Sequence, residues 1–295
     1  AWLLLYYRRS WKTTPVYEPD TPQSNHMPFV SVIISARNEE TKIADCLNSM
    51  AAQNYPPTLF EVIVINDHSE DNTPSIIQSF SSRFSNIRLI ELKDYVKLHK
   101  PNSYKKKAIE TGISLSAGEL IMTTDADCIA PHDWIFTVAS YYKKNQSAMI
   151  ASPVNILMPI GADGLKKFFY AFQILDFITL QGITGAALSR QFHYMANGAN
   201  LAYPKSIFIE VKGFKDIDNI ASGDDMLLME KVKMIRPDKV HYLKSFESTV
   251  TTFPEQTIHS FFNQRIRWAS KSSTYQDYKI KTVLALVYVI NVWCI

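Results

Sequence analysis

The amino-acid sequence predicts an α/β protein built on a mostly parallel sheet flanked by helices. Between residues 29 and 150, short runs rich in β-branched residues alternate with amphipathic segments, which is the pattern of repeated strand–helix–strand units. Clusters of polar residues follow three of these runs directly. The chain has 295 residues, of which 46% are hydrophobic and 20% charged, so it can bury a sizeable core.

The two ends of the chain are apolar and carry cationic flanks. Residues 1–12 open with AWLLLYY before Arg8 and Arg9, and residues 279–295 hold TVLALVYVINVWCI after Lys281. A spanning helix needs about 20 apolar residues, so we expect each run to be a piece of a membrane helix. The positive-inside rule then places the intervening domain on the cytoplasmic side of the membrane. Docking of both runs onto the core is the alternative.

Residues 13–28 contain four prolines among polar residues and predict a linker. The first half of the domain, residues 29–150, contains the strand-like runs FVSVII, EVIVIN, IRLIEL and LIMTTD, with helical patterns at 39–52 and 71–84. Ligands of such sheets bind beyond the carboxyl ends of the strands. Because ARNEE, NDHSED and TDADC occupy those ends, we expect three loops to converge on one crevice.

The second half, residues 151–278, changes to long aromatic-rich helical patterns, notably at 164–181 and 257–271. In the first of these, apolar side chains recur at helical spacing, namely at Leu165, Phe168, Phe169, Phe172 and Leu175. Two interpretations fit this stripe. It is either a buried core face or the apolar side of an interfacial helix that rests on a membrane.

Two carboxylates one residue apart follow the run LIMTT, at Asp125 and Asp127. Side chains of an extended segment alternate in direction, so these two would point to the same side and converge on one hard cation. Mg²⁺ or Mn²⁺ suits such oxygen ligands, and Mg²⁺ completes its shell with water and substrate phosphates. The pair therefore predicts a metal site for a phosphate-bearing substrate, with a solvated turn as the alternative.

The neighbouring clusters add acceptors, amides and cations to the same crevice. ARNEE and NDHSED could hold a base and a ribose, although turn and helix-capping roles would also explain Asn38, Ser69 and Asp71. The run KKKAIETG places Lys105 near the same edge, either to meet an anionic ligand or as part of a solvated helix face.

Two further motifs lie in the second half. Asp224 and Asp225 begin a helical pattern, where carboxylates either cap the helix or serve as a general base for an attacking hydroxyl. NQRIRW brings Gln264, Arg267 and Trp268 onto neighbouring faces of a helix. That arrangement joins a phosphate-binding fork to a flat aromatic surface, and core packing is the alternative for the tryptophan.

Composition and motifs also exclude several classes of protein. A net charge of +3 is too balanced to favour nucleic acid as a partner. Three cysteines without metal-ligand spacing suit a reducing compartment, and we expect no disulfides. The sequence has no G-x-G-x-x-G, G-x-x-x-x-G-K-[ST] or H-E-x-x-H motif. No motif therefore favours a Rossmann dehydrogenase, a P-loop NTPase or a zincin.

Seven motifs occur in a fixed order across residues 29–271: SVIISARNEE, VIVINDHSED, KKKAIETG, TTDADC, NGANLAYPK, GDDMLL and QRIRW. This order resembles that of the family-two inverting glycosyltransferases of GT-A fold. The closing Q-x-x-R-W resembles membrane-embedded processive members such as cellulose, chitin, hyaluronan and poly-N-acetylglucosamine synthases. The resemblance implies that residues 29–150 bind a nucleotide-sugar and that residues 151–278 bind the acceptor and catalyse transfer.

The resemblance also implies a role for each matching residue. Donor binding would fall to Ala36, Arg37, Glu39, Asp67, Lys105, Asp125 and Arg267. Asp125 and Asp127 would hold the metal ion, and Asp225 would be the catalytic base. Acceptor binding would fall to Gln264, Trp268 and Asp224. This sequence departs from the family pattern at Asn66, where many members have an aspartate, and at GDD, which replaces Gly-Glu-Asp.

The predicted function is sugar transfer with inversion from a nucleotide-sugar donor, with a UDP-sugar expected, to a glycan or a lipid-linked acceptor at the membrane. One displacement needs a single base and no covalent intermediate. Two other classes remain open. One is a catalytically silent nucleotide- or sugar-binding subunit of a membrane assembly, and the other is a metal-dependent nucleotidyltransferase, which would release pyrophosphate.

Overall fold

The computed structural model describes residues 2–19, 27–96, 103–217, 223–270 and 277–293. The strands are β1 (Val30–Ala36), β2 (Phe60–Asn66), β3 (Ile87–Glu91), β4 (Leu120–Asp125), β5 (Met149–Ala151), β6 (Val154–Ile156), β7 (Leu201–Pro204), β8 (Val240–Tyr242) and β9 (Val250–Thr252). The helices are α1 (Trp2–Thr13), α2 (Ile43–Ala51), α3 (Thr73–Arg83), α4 (Tyr104–Leu115), α5 (Trp134–Asn145), α6 (Gly164–Ser189), α7 (Lys205–Glu210), α8 (Asp224–Ile235), α9 (Ile258–Ala269) and α10 (Tyr278–Trp293).

Seven of these strands form one sheet in the order β3-β2-β1-β4-β7-β5-β8. β1 to β4 are parallel to one another, whereas β7 runs antiparallel to both β4 and β5. The four strands expected in the first half are thereby confirmed, as is the α/β class with a mostly parallel sheet. The antiparallel β7 and the short β5 and β8 come from beyond residue 148, so both predicted halves contribute to one sheet.

Alternation along the strands divides the core into two layers. Val32 and Ile34 of β1 join the apolar cluster on one face of the sheet, which also receives Phe177 of α6 and Trp268 of α9. Ile33 joins the cluster on the other face, together with Phe208 of α7. Period-two alternation in a strand that is covered on both sides gives this result.

A two-stranded parallel sheet of β6 and β9 lies beside the main sheet. Ile129, just after β4, forms an isolated bridge with Thr251 of β9. β9 leads directly toward α9, whose first turn is closed by a reciprocal capping box between Thr257 and Ser260. The start of α9 is therefore tied by backbone pairing to the end of β4.

The apolar ends of the chain lie in helices α1 and α10. α1 packs on the C-terminal part of α6, where Tyr7 is buried beside Ala186 and Ala187, while Trp2 and Leu4 are exposed. The linker region, as far as it is described, has no regular structure at 14–19 and 27–29, and residues 20–26 lie outside the described residues. Membrane insertion of the ends and the predicted domain boundaries remain predictions.

The apolar stripe of α6 points away from the core. Leu165, Phe168, Phe172 and Leu175 are between 51% and 89% exposed, so the interpretation as a buried core face is wrong for these four residues. Phe169 is partly buried, and the buried side of this half of the helix carries Tyr170, Gln173 and Phe177. Within the described residues, α6 is the one helix that is long and apolar enough to cross a membrane.

Candidate active site

A cavity of about 860 Å³ opens beyond the carboxyl end of β4. Its lining comes from segments far apart in sequence, which the sheet and helices α6 and α9 bring together. The predicted site residues in the lining are Lys105, Asp125, Asp127, Asp224, Asp225, Gln264, Arg267 and Trp268. Of the three loops expected to converge on one crevice, TDADC lines this cavity, whereas ARNEE and NDHSED contribute no residue to its lining.

The acidic pair sits where β4 ends. Asp125 is the last residue of the strand, but Asp127 lies in the following turn, which the amide of Cys128 closes by donating to the carbonyl of Asp125 at 3.1 Å. The expectation of one extended segment through both residues is wrong, because the chain turns immediately after Asp125. Both carboxylates nevertheless line the cavity, and Thr252 of β9 donates to Asp127 at 3.1 Å.

Each carboxylate of the pair has a lysine partner. Lys105 Nζ of α4 donates to Asp125 Oδ1 at 2.7 Å, and Lys42 Nζ lies 3.8 Å from Asp127 Oδ2. Burial lowers the pKa of Lys105, but the carboxylates of Asp125 and Asp224 outweigh this effect and hold the pKa above its usual range. The site thus contains a fixed positive charge beside a concentrated negative one.

Burial and the nearby carboxylates together perturb a neighbouring acid. Burial, reinforced by Asp127 and Asp125, raises the pKa of Glu39 to about 7. Such a potential, together with two hard oxygen donors, fits a divalent cation. No cluster of three or more His, Cys, Asp or Glu side chains suited to a metal occurs within the described ranges. Asp125 and Asp127 therefore fit an ion that takes its other ligands from outside the protein.

Asp225 is the second residue of α8, and its carboxylate is oriented by two backbone amides. Gly198 N donates to its Oδ2 at 3.0 Å, and Met226 N donates to its Oδ1 at 2.8 Å. Gly198 belongs to the NGAN motif that precedes β7. Asp224 is more deeply buried, at 9% exposure, and contributes to the electrostatic field around Lys105. Both aspartates line the cavity, and Asp225 is the more accessible of the two.

Helix α9 forms the opposite wall. Its residues Gln264, Arg267 and Trp268 all line the cavity, and Gln264 donates to Glu255 Oε1 at 3.0 Å. Trp268 is only partly buried and packs on Phe177 of α6 with ring centroids 6.0 Å apart. Trp268 therefore lines the cavity and also packs on α6. The interpretation as an aromatic surface of the site and the interpretation as a packing residue each describe part of its surroundings.

Four residues that the resemblance assigns to donor binding lie outside the cavity lining: Ala36, Arg37, Glu39 and Asp67. Ala36 is buried at the end of β1, and its carbonyl accepts the amide of Asp67 at 2.8 Å. The Asp67 carboxylate lies 2.9 Å from His68 Nδ1. Arg37 is exposed, and Glu39 is partly buried near the acidic pair.

The loops after β1 and β2 are joined to each other by hydrogen bonds. Ser69 Oγ accepts from the Asn38 amide at 3.0 Å, and Asn38 Oδ1 accepts from the Glu70 amide at 2.9 Å. Asp71 accepts from the amides of Glu40 and Thr73, the second at the first turn of α3. Turn and capping roles therefore account for Asn38, Ser69 and Asp71.

Three residues that sequence patterns did not single out contribute to the site. Lys42 reaches Asp127, Glu255 holds Gln264, and Gln173 of α6 clamps the backbone of Glu255 by one donated and one accepted bond, each of 2.9 Å. Lys42 immediately follows the NEET segment, and that proximity was the one available signal. No sequence pattern around Glu255 or Gln173 marks them as site residues.

The chain belongs to glycosyl transferase family 2, since the model of that family matches residues 31–197. This confirms the family that the motif order suggested, and solved neighbours of GT-A fold confirm the architecture. Family membership over residues 31–197 is therefore established for the chain.

Three relatives show the range of the family. The chain is 26% identical over 283 residues to the probable glycosyltransferase YdaM of Bacillus subtilis, covering 91% of this chain and 63% of that one. It is 29% identical to glycosyltransferase AglE of Haloferax volcanii, over 48% of this chain and 44% of that protein. It is 26% identical to a poly-β-1,6-N-acetyl-D-glucosamine synthase of Staphylococcus epidermidis, over 81% and 53%. The chain thus spans roughly half the length of these relatives.

Two solved structures share the fold. The mannosyltransferase PcManGT from Pyrobaculum calidifontis, in complex with GDP-Man and Mn²⁺, superposes with a TM-score of 0.64 at 20% identity, covering 89% of this chain and 68% of that chain. Residues 1–349 of S. aureus TarS in complex with UDP-GlcNAc give 0.54 at 18% identity, over 78% and 60%. At these identities the likeness establishes the fold alone.

Proposed function

We propose that the chain transfers a sugar, with inversion, from a nucleotide-sugar to a hydroxyl group of a glycan or lipid-linked acceptor. The observation that carries this proposal is the single cavity that brings Asp125 and Asp127 together with Asp225, Arg267 and Trp268. The site has places for an anionic leaving group, a proton acceptor and a flat sugar-stacking surface. We propose a UDP-sugar as the donor.

In this proposal the donor side of the cavity binds the diphosphate. Asp125 and Asp127 would hold Mg²⁺ or Mn²⁺, which when bound supplies positive charge to the leaving diphosphate. Lys105 and Arg267 offer further cations in the same lining. In the complex of PcManGT, a nucleotide-sugar and Mn²⁺ are present together, which supports a divalent ion for this chain.

The acceptor side supplies the base. In the proposed step the acceptor oxygen attacks the anomeric carbon and forms the new glycosidic bond. The bond from that carbon to the diphosphate oxygen breaks on the opposite face, and Asp225 takes the proton of the hydroxyl group. The two amides that hold the Asp225 carboxylate fix its orientation. Because the proposed displacement is a single step, no protein–sugar intermediate is required.

We also propose that this reaction takes place at a cytoplasmic membrane, with the domain on the cytoplasmic side. Exposed Trp2, Leu4 and Leu5 on α1, beside Arg8 and Arg9, support this location. A membrane fraction that resists carbonate extraction is the expected behaviour of the full-length protein. Quantitative release of the protein by carbonate would contradict this part of the proposal.

A screen of nucleotide-sugars with Mn²⁺ tests the activity directly. Release of a nucleoside diphosphate is the expected product, release of pyrophosphate would indicate a nucleotidyltransferase, and binding without turnover would indicate a silent subunit.

The metal pair is tested by Asp127→Asn. The substitution removes one negative charge from a partly exposed carboxylate in the cavity, so we expect metal-dependent donor affinity to fall by about tenfold or more while the fold is kept. Calorimetric titration of a UDP-sugar with and without Mn²⁺ measures this effect. Unchanged metal-dependent affinity in Asp127→Asn, with an unchanged melting temperature, would overturn the assignment of the metal site.

A further inference from the structure

A second cavity, of about 450 Å³, lies beside β8 at the edge of the main sheet. Its walls are residues 14–17, the C-terminal ends of α5 and α6, and the edge strand itself. We call it the β8 cavity. It shares no lining residue with the active-site cavity. Its volume lies in the range of about 300 to 1,000 Å³ that is typical of sites for one small molecule.

The free edge of β8 supplies backbone hydrogen-bonding groups. Within the described residues β8 pairs only with β5, and Leu243 N donates to Ala151 O of that strand at 2.9 Å. Backbone groups alternate in direction along an extended segment, so the N–H and C=O groups of Val240 and Tyr242 point to the other edge. Both residues line the β8 cavity, which therefore has donors and acceptors of the main chain in its wall.

Residues 11–17 close one end of this edge. Tyr17 N donates to Lys244 O at 2.8 Å, and Lys244 Nζ donates to the carbonyls of Trp11 at 3.0 Å and Thr14 at 3.1 Å. The part of the edge that stays open is therefore short. It suits one planar group with a donor beside an acceptor, rather than a further strand.

The hydroxyl group of Tyr242 is an independent observation that points to a ligand. Tyr242 is 6% exposed, lines the β8 cavity, and its hydroxyl has no hydrogen-bond partner in the part of the chain that the structure describes. Burial raises the pKa of Tyr242, so the hydroxyl keeps its proton. Buried polar atoms usually have a partner, because an unpaired one costs its full desolvation free energy. A polar atom of a ligand would supply that partner.

The charges and rings of the wall define the chemistry of the ligand. The described lining contains Lys144 and Lys244 but no aspartate or glutamate, so it favours an anion. Tyr17 and Tyr141 contact each other edge to face with centroids 5.0 Å apart, and Lys144 Nζ lies 5.6 Å from the Tyr17 centroid. Aromatic rings beside a cation suit a molecule that has both a flat ring and an anionic group.

We propose that the β8 cavity binds a nucleoside monophosphate. The edge of its base pairs with the free N–H and C=O groups of β8, and the ring packs on the tyrosines. Its phosphate lies at Lys144 and Lys244, and the Tyr242 hydroxyl donates to an oxygen of the ligand. This site is separate from the one proposed for the sugar donor, and it does not depend on the proposed sugar transfer.

Calorimetric titration of the full chain with GMP, AMP and UMP tests the proposal. EDTA is present throughout, so that metal-dependent binding at Asp125 and Asp127 does not contribute. Lys144 is exposed, so Lys144→Glu should leave the fold intact while it replaces attraction by repulsion. The adjacent Lys143 lies outside the lining, and Lys143→Glu is the matched control with the same change in net charge.

At least one of the three nucleotides should bind with a Kd below about 1 mM. Lys144→Glu should weaken that binding about tenfold or more, and Lys143→Glu should change it by less than about twofold, because solvent and salt screen a charge outside the site. No binding of any nucleotide, or equal loss in both variants, would overturn the proposal. Loss in Asp127→Asn with none in Lys144→Glu would assign the binding to the active site instead. Inorganic phosphate that binds as tightly as the nucleotide would overturn recognition of the base.

Hydrogen exchange measures the same contact without any assay of turnover. The bound nucleotide should slow amide exchange in the peptide that contains residues 240–244 and leave the peptide around Asp125 unchanged. Tyr242→Phe should weaken binding about threefold or more without lowering the melting temperature, because the hydroxyl has no partner among the described residues. Protection confined to the peptide around Asp125, or unchanged affinity in Tyr242→Phe, would overturn the proposal.

Discussion

Asp225 shows how the surroundings of one side chain define its chemistry. Its two oxygens accept hydrogen bonds from the amides of Gly198 and Met226, and the carboxylate remains part of the cavity lining. Asp224, one residue earlier, is more buried, although both aspartates interact electrostatically with Lys105. Adjacent carboxylates are thereby given different surroundings, as a division of roles between them requires.

Substituting the two aspartates separates a base from a helix cap. Asp225→Asn should lower turnover by about 100-fold or more and preserve nucleotide-sugar binding, because the base acts on the acceptor. Asp224→Asn should have a milder effect on the rate. Turnover and thermal melts of both variants are the measurements. An Asp225→Asn enzyme of near-normal rate that has lost only about 1 kcal/mol of stability would identify a cap and remove the base assignment.

Trp268 is the second residue whose role can be separated from its packing. Full burial would make Trp268→Ala cost about 3 to 5 kcal/mol, but the ring is only partly buried and lines the cavity, so we expect about half of that loss in unfolding free energy. Acceptor use should fall much further, because the stacking surface is removed. Denaturant unfolding and acceptor kinetics measure the two effects. A loss of about 5 kcal/mol in unfolding free energy, with a proportionate loss of donor binding, would indicate that Trp268 is mainly a core residue.

At the scale of elements, the structure depends on how α9 is held against α6. Arg265 Nη2 pairs with Asp176, and its guanidinium lies 4.7 Å from the Phe261 ring centroid and 4.4 Å from that of Trp268. Nε and Nη1 of Arg265 are buried without a hydrogen-bond partner in the described part of the chain. The ring faces of Phe261 and Trp268, which belong to α9 itself, provide the remaining contacts of the guanidinium. The ion pair with Asp176 is the contact of Arg265 that joins α9 to α6.

A double-mutant cycle on Asp176 and Arg265 tests whether this ion pair stabilises the contact between α6 and α9. Asp176→Ala, Arg265→Ala and the double variant should give a coupling energy of about 1 kcal/mol in denaturant unfolding, since both groups are partly shielded from water. Asp176→Ala should also raise the acceptor KM and weaken donor binding, because α9 carries both Gln264 and Arg267. The surface pair Lys107–Glu110 is the matched control and should couple by only a few tenths, about 0.3 kcal/mol. Equal coupling in the two cycles would remove the special role of Arg265.

At the scale of the whole molecule, the end of α6 forms a buried junction with α1 and α10. His193 is 1% exposed, and its Nε2 lies 2.7 Å from the Tyr7 hydroxyl. Burial lowers the pKa of His193 from 6.5 to about 4, with Lys233 and Lys279 acting in the same direction and Asp277 opposing them. The imidazole is therefore neutral in the folded protein at neutral pH.

This junction gives a pH-dependent contribution to stability. Between the two pKa values the unfolded chain binds the proton and the folded chain does not, so stability falls as the pH decreases. From about pH 7.5 to about pH 5 the loss assigned to His193 is roughly 2 kcal/mol. The raised pKa of Glu39 acts in the opposite direction, so the readout is the difference between the natural chain and His193→Gln. Denaturant unfolding of the natural chain and of His193→Gln at about pH 7.5 and about pH 5 should show that difference. An equal change in unfolding free energy for the two proteins between these pH values would contradict it.

The sequence by itself determined much of the first half of the molecule. The runs at β1, β2, β3 and β4 became parallel strands because nearly continuous β-branched stretches suit a sheet that is covered on both faces. The acidic pair could be located at a strand end, and Asp224 at a helix start, from short-range signals alone. The order of seven motifs gave the family, because order is preserved where spacing varies.

Only the tertiary structure decided which side chains meet. Lys42 on Asp127, the Gly198 amide on Asp225 and the Asp176–Arg265 pair join residues 27 to 89 positions apart, and no local periodicity encodes such distances. The helical spacing on α6 established that Phe168 and Leu175 share a side, but not whether that side is covered. Burial depends on which element packs against a helix, and this is fixed by the path of the whole chain.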